Sequence, residues 1–285
     1  TAPYWVVAVG IGVYIVGVTI FARTEARDSG RLQLAFGVVV MLLGIATVAS
    51  FPAWASGATW EVRGLPAPSR DRWYLVLCNH QSYADIPVLV KGLGRDIPML
   101  KFFAKRDMMC TPIIALAMWA LEFPFMHRYS EAYLQQNPEK RGKDLETGKR
   151  LLARFRSHPG TIVIYPEGTR FTERKRDAGG VPYTRLLRPK AGGVALALSA
   201  LLDKLDSILD VTLVYPEPTS IWRLFCGRVS RVQVNITPRP VPEWVIGADY
   251  ENDPKFRERF QNWLAGVWAE KEPLLHPVPP ARPAP

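Results

Sequence analysis

Two residues able to handle a proton, His80 and Asp85, stand five apart at the end of the apolar run 73–79. On one continuous helix that offset turns about 500°, which would leave the side chains about 140° apart. They meet only if His80 lies in the turn after a strand and Asp85 in the first helical turn that follows. A carboxylate so placed fixes the imidazole tautomer, supports the protonated ring and leaves the other nitrogen as a base. The competing reading makes Asp85 a helix cap before Ile86-Pro87 and His80 a turn residue.

A second cluster follows the β-branched run 161–165, which ends in Pro166-Glu167-Gly168-Thr169-Arg170. Glycine permits close approach of backbone to a ligand, Thr169 offers a hydroxyl, and Arg170 can grip phosphate in a bidentate fork. The run 122–126 ends in His127-Arg128, and 211–215 ends in Pro216. For Arg128 and Arg170, a surface salt bridge competes with ligand binding. Cys78 offers a thiol two residues before His80, but its strand position predicts burial rather than a nucleophile. No G-x-S-x-G elbow occurs in the chain.

These residues need a frame that gathers strand ends. Strands are predicted at 60–62, 73–79, 122–126, 161–165, 211–215 and 232–236. Helices are predicted near 87–91, 112–121, 145–155, 193–205 and 253–268. The alternation argues for an α/β fold, with a mixed, mostly parallel sheet flanked by helices. Four strand ends with polar or special residues then share one rim, where open α/β sheets place their sites. Residues 173–190, basic and broken by Gly179-Gly180, read as a long surface loop of the binding or lid kind. Residues 138–150 read as a solvated helix start. The stretch 99–109 interleaves basic and large apolar residues, which suits either a face on an anionic membrane or a strand leading into a helix.

The 285 residues include 36 Lys+Arg and 26 Asp+Glu, a net charge of +10, with 48% hydrophobic residues. That composition excludes a disordered or fibrous chain. Residues 4–22 and 32–55 carry no charge, and each is long enough to cross the roughly 30 Å apolar core of a bilayer. With Tyr4, Trp5, Trp54 and Trp60 at their ends, they predict an N-terminal two-helix membrane hairpin. A buried core hairpin is the other reading. Arg23, Arg27 and Arg31 lie between the stretches, and Arg63, Arg70 and Arg72 follow the second. Spanning and dipping into one leaflet therefore both remain open. The expected domains are a hairpin anchor at 1–55, a catalytic domain at 56–272 and a proline-rich tail at 273–285.

Residues 61–285 carry a net +9, pointing to anionic headgroups or a phosphorylated substrate. No nucleic-acid-binding signature accompanies that charge, so nucleic acid is not an expected partner. Cys78, Cys110 and Cys226 have no metal-site spacing, and a reducing compartment is expected. No metal is expected.

The block Asn79-His80-Gln81-Ser82-Tyr83-Ala84-Asp85 resembles the H-x4-D motif of the glycerolipid acyltransferases, the lysophosphatidic acid acyltransferase family. Phe123-Pro124-Phe125-Met126-His127-Arg128 is similar to their second block. Tyr165-Pro166-Glu167-Gly168-Thr169-Arg170 is similar to the third, with Tyr165 in place of the commoner Phe. Val214-Tyr215-Pro216 resembles the fourth. The four blocks occur in family order over roughly residues 60–240. The strings 124–130 and 141–144 look like a proteobacterial inner-membrane subgroup.

The resemblance implies that His80 is the general base and Asp85 its orienting partner. Glu167, Gly168 and Thr169 would shape the acceptor pocket, Arg128 and Arg170 would hold its phosphate, Lys105 would lie at the site, and Pro216 would shape the acyl-donor side. It further implies acyl transfer from acyl-CoA or acyl-ACP to a lysophospholipid, most simply lysophosphatidic acid, with no acyl-enzyme and no cofactor beyond the co-substrate. Expected partners are these substrates, the bilayer, acyl carrier protein as a possible donor carrier, and a membrane-complex partner. The expected location is the bacterial inner membrane, with the catalytic domain on its cytoplasmic side. Another lysophospholipid or lyso-aminolipid acceptor, or a catalytically silent lipid-binding subunit, is the alternative. The N–H groups at 82–85 are a candidate source of oxyanion donors.

Overall fold

The strand β2 (Trp73–Cys78) reads WYLVLC and is buried at every position after Trp73, the pattern of a central strand covered on both faces. The structure, a computed structural model, describes residues 58–65, 67–102, 104–105, 125–126, 158–201, 203–245, 250 and 252–275. In chain order the elements include β1 (Thr59–Arg63), β2, helix α1 (Asp85–Leu93), β3 (Leu100–Phe102), β4 (Ala104–Lys105), β5 (Phe125–Met126) and β6 (Thr161–Ile164). Helices α2 (Glu173–Gly179) and α3 (Ala191–Leu201) follow, then β7 (Leu205–Val214), α4 (Ile221–Phe225), β8 (Arg231–Arg239) and α5 (Pro254–Ala269).

Six strands form one sheet in the order β1-β8-β7-β2-β6-β3. β2 pairs parallel with both β6 and β7, and β3 pairs parallel with β6, whereas β7 and β8 are antiparallel. The sheet is therefore mixed and mostly parallel, as the alternation of elements predicts. Leu77 lies opposite Ile164 and Cys78 opposite Val211. Hence the carboxyl ends of β2, β6 and β7 open on one rim.

The strand expected at 122–126 departs from this plan. Its described part, β5, pairs with β4 in a separate two-stranded sheet. The expected helices at 112–121 and 145–155, the loop 138–150 and the membrane hairpin at 1–55 lie outside the described residues. Among the described residues, no helix is long and apolar enough to cross a membrane.

Leu75 and Leu77 of β2 join Ile208 and Val214 of β7 in a core with α3 and α5, which contribute Leu198, Leu201, Phe260, Leu264 and Trp268. Leu213 faces the other way, and its register partner Val234 meets α1 at Gly92, where a Cβ would lie 3.4 Å from Val234 Cγ2. Helices thus cover both faces. In β8 the pattern is period two, with Val232, Val234 and Ile236 buried between partly exposed neighbours. Each fully buried aliphatic or aromatic side chain contributes roughly 1.5–3 kcal/mol.

Three boundaries differ from expectation. The segment expected to be loop from 173 begins with α2, capped by Thr172 and closed by Gly180 at φ +54°. α3 stops at Leu201, and Leu205 already starts β7. Pro273, placed in the expected tail, belongs to the 3-10 turn Glu272–Leu275, and Leu275 is buried in the core; residues 276–285 lie outside the described ones. Contacts divide the described residues into a larger unit, those within 60–218 and 231–275, and a smaller one of 58, 59 and 219–230. In the smaller unit, Ser220 caps α4 by accepting the Arg223 N–H.

Candidate active site

Where β2 leaves the sheet, Asn79 secures its end to β7. Its amide donates to the Leu213 carbonyl at 3.0 Å and accepts the Leu213 N–H at 2.8 Å. His80 then lies in the turn and Asp85 in the first turn of α1, the arrangement in which they can meet. The imidazole Nδ1 is 2.8 Å from Asp85 Oδ2.

Asp85 is fully buried, so each of its oxygens needs donors. Oδ2 also accepts the Gln81 and Ser82 N–H groups at 2.7 and 3.0 Å, and Oδ1 accepts the Tyr215 hydroxyl at 2.9 Å. Two fixed backbone donors and the Tyr215 hydroxyl make this carboxyl an acceptor, which assigns the donor role at the 2.8 Å contact to His80 Nδ1. In the neutral ring that tautomer leaves the lone pair on Nε2. His80 retains 15% of its side-chain exposure while Asp85 has none, which suits a base open to substrate and held from behind. The imidazole stacks on Tyr165 with centroids 4.1 Å apart, and Tyr165 stacks in turn on Phe102. The Tyr165 hydroxyl is buried with no hydrogen-bond partner among the described residues, and burial raises its pKa well above the usual phenol value.

The turn after β6 braces His80 from the other side. Gly168 adopts φ +69°, a conformation that favours glycine. The turn is closed by the Gly168 N–H to Tyr165 carbonyl bond at 2.9 Å. Glu167 is 2% exposed. Its two oxygens accept the His80 and Leu187 N–H groups, both at 3.2 Å. Phe171 donates its N–H to the His80 carbonyl at 2.7 Å. The backbone of His80 is thereby held at both its N–H and its C=O. Burial pushes the Glu167 carboxyl up to about 8, against the pull of the two N–H donors and Lys271.

Thr169 Oγ1 accepts from the Lys175 ammonium at 2.7 Å, and that ammonium also donates to the Arg170 carbonyl at 3.0 Å. The Arg170 guanidinium lies 3.9 Å over the Tyr83 ring. The structure thus gathers His80, Asp85, Glu167, Gly168, Thr169 and Arg170 at one rim. Lys105 is on β4, in register with Met126; Arg128 lies outside the described residues. Pro216 follows the end of β7.

The N–H groups considered as oxyanion donors are largely engaged. Those of Ser82, Ala84 and Asp85 bind Asp85 Oδ2, Ser82 Oγ and the Ser82 carbonyl respectively. Cys78 is fully buried, and burial raises its thiol well above the ordinary range, which keeps it from serving as a ready thiolate. Among the described residues, no three His, Cys, Asp or Glu side chains are grouped to hold a metal.

Four residues of the site escaped the sequence reading as functional groups: Asn79, Tyr215, Lys175 and Lys271. Asn79 and Tyr215 lay within recognised blocks but had no assigned partner. Lys271 is 1% exposed. Its ammonium donates to the Leu77 and Val211 carbonyls at 3.3 and 2.7 Å and pairs with Asp210 beneath the same strand ends.

Residues 60–216 match the model of a protein family described as Acyltransferase. Over 220 residues the chain is 32% identical to 1-acyl-sn-glycerol-3-phosphate acyltransferase 2 of Arabidopsis thaliana, covering 70% of this chain and 50% of that protein. It is 27% identical over 186 residues to 1-acyl-sn-glycerol-3-phosphate acyltransferase gamma of Mus musculus, covering 61% and 44% respectively. The chain spans about half the length of the curated relatives it matches. The crystal structure of PlsC, the 1-acyl-sn-glycerophosphate (LPA) acyltransferase from Thermotoga maritima, aligns with 99% of this chain and 95% of its own, at 18% identity and a TM-score of 0.47.

Proposed function

Matched over more than half its length, this chain belongs to the Acyltransferase family, and on that premise we propose that it transfers an acyl chain from acyl-CoA or acyl-ACP to the free hydroxyl of lysophosphatidic acid, forming phosphatidic acid. The observation that carries the reading is the 2.8 Å contact between His80 Nδ1 and Asp85, with Nε2 left as the base.

In this mechanism Nε2 takes the proton from the acceptor hydroxyl as its oxygen attacks the thioester carbonyl. The tetrahedral intermediate collapses with loss of the thiolate, which takes the proton back from the imidazolium. Asp85 holds the ring and offsets its transient charge. A thioester is already activated, so the base and the alignment of both lipids are the main requirements. General-base action supplies about 10²–10⁴-fold and positioning supplies more. The buried, protonated Cys78 fits direct transfer without an acyl-enzyme. Arg170, beside the His80 turn, supports recognition of a phosphate on the acceptor.

The uncharged stretches 4–22 and 32–55 support attachment to a bilayer, and the basic balance of 61–285 supports an anionic lipid face. The proposed setting is the cytoplasmic side of a bacterial inner membrane. The reading is tested with the purified 285-residue chain in neutral detergent, labelled oleoyl-CoA or oleoyl-ACP, and a panel of lysophospholipids. Lysophosphatidic acid should be converted to phosphatidic acid at the highest kcat/KM of the panel. No transfer to any acceptor from folded protein would contradict the proposal.

A further inference from the structure

We propose that Lys175 is a second cation of the acceptor site and, with Thr169 and Arg170, forms a three-residue cradle selective for a phosphomonoester. This rests on the acceptor reading given above and adds a residue outside the recognised blocks.

The chemistry of the donors carries the inference. An ammonium has three donors and no acceptor. Lys175 spends one on Thr169 Oγ1 and one on the Arg170 carbonyl; its third donor has no partner among the described residues. Because Thr169 accepts from Lys175, its own hydroxyl proton is directed to some other acceptor. The contact turns a hydroxyl that could play either part into a donor beside a positive charge.

Arg170 completes the set. Its guanidinium lies over the Tyr83 ring at 3.9 Å. Stacking leaves the in-plane N–H groups available for a bidentate partner. Among the described residues no carboxylate pairs with Arg170 or Lys175, whereas their neighbour Arg176 is paired with Asp177 at 2.7 Å. Two uncompensated cations therefore flank one committed hydroxyl donor. The group is fastened to the base, since Phe171 binds the His80 carbonyl and Tyr83 lies three residues past His80.

The local fold explains the placement of Lys175. Thr172 caps α2 and its side chain accepts the Lys175 N–H at 3.3 Å, fixing Lys175 at the third helical position. From there its side chain returns toward residues 169 and 170. A phosphomonoester offers three terminal oxygens and a charge between −1 and −2, and matches this set. A phosphodiester, with two such oxygens and one charge, matches it less well.

The test compares wild type with Lys175→Gln and Lys175→Arg in neutral detergent, so that no bilayer phosphate competes. For Lys175→Gln, KM for lysophosphatidic acid should rise about tenfold and kcat should fall by less; KM for lysophosphatidylcholine should rise less than threefold. Lys175→Arg should recover part of the loss, and added salt should shrink the wild-type advantage. Calorimetric titration with glycerol 3-phosphate gives a readout independent of turnover, and its Kd should rise by a similar factor in Lys175→Gln. Unchanged KM and unchanged glycerol 3-phosphate binding would overturn the proposal, as would equal losses on both acceptors. Lys175-dependent glycerol 3-phosphate binding in a wild type that transfers no acyl group would uphold the cradle and defeat the acyltransfer reading.

Discussion

Tyr215 donates its phenolic hydroxyl to Oδ1 of Asp85 at 2.9 Å, joining the end of β7 to the first turn of α1 across 130 residues of chain. Both partners are buried. The oxygen that Tyr215 occupies is the one His80 does not use. The phenol therefore disperses carboxylate charge away from the imidazole and fixes the carboxylate plane.

Replacing Tyr215 with phenylalanine removes that donor and leaves the Oδ1 charge without a partner. Loss of a hydrogen bond to a buried charged group costs about 1.5–3 kcal/mol. Asp85 then loses its tie to β7, so the chain loses stability by that amount and kcat falls as the imidazole is held less firmly. Urea denaturation and the kcat of Tyr215→Phe check this; an unchanged kcat beside a lowered midpoint would show that the bond is structural only.

Glu167 gives a pH dependence of stability with a definite sign. Its carboxyl is raised from 4.5 to about 8 by burial, so the stability it contributes in the neutral form is complete below 4.5 and is lost as pH rises toward 8. Glutamine does not titrate, and its NH₂ opposes one of the two backbone N–H donors, so Glu167→Gln is less stable at acid pH. The gap between wild type and variant narrows from about pH 5 to about pH 8.5. Urea denaturation at the two pH values measures it, and a gap that widens would contradict the assignment.

Asn79 tests how the rim is held. Its side chain satisfies both the N–H and the C=O of buried Leu213. Asn79→Ala leaves those groups unpaired and should lower stability by about 2–3 kcal/mol. Equilibrium urea unfolding reads the loss. An unchanged midpoint would mean that water or a shift of β7 replaces the amide.

The contact between His80 and Asp85 was legible because seven consecutive residues contain both partners, and only the strand–turn–helix geometry lets them meet. The sheet was legible through β-branched runs such as 161–164. Tyr215 was not, because its contact depends on β7 lying beside β2, an order that periodicity along one strand does not report. Lys271 is bound to carbonyls of both these strands and is hidden for the same reason. Residues 173–190 read as loop because they are basic and contain Gly179-Gly180 and two prolines; α2 has no buried residue and rests on the Thr172 cap and the Gly180 terminus rather than on an apolar stripe. The early start of β7 is hidden in the sequence because residues 205–207 continue an apolar-and-polar pattern that also suits a helix end.

The most direct test of the central claim is the rate of acyl transfer to lysophosphatidic acid by His80→Ala beside wild type, with circular dichroism to confirm equal folding. In His80→Ala kcat should fall by about 10²–10⁴-fold, with KM for the acceptor changed far less. A folded His80→Ala chain that keeps most of its activity would contradict the assignment of His80 as the base.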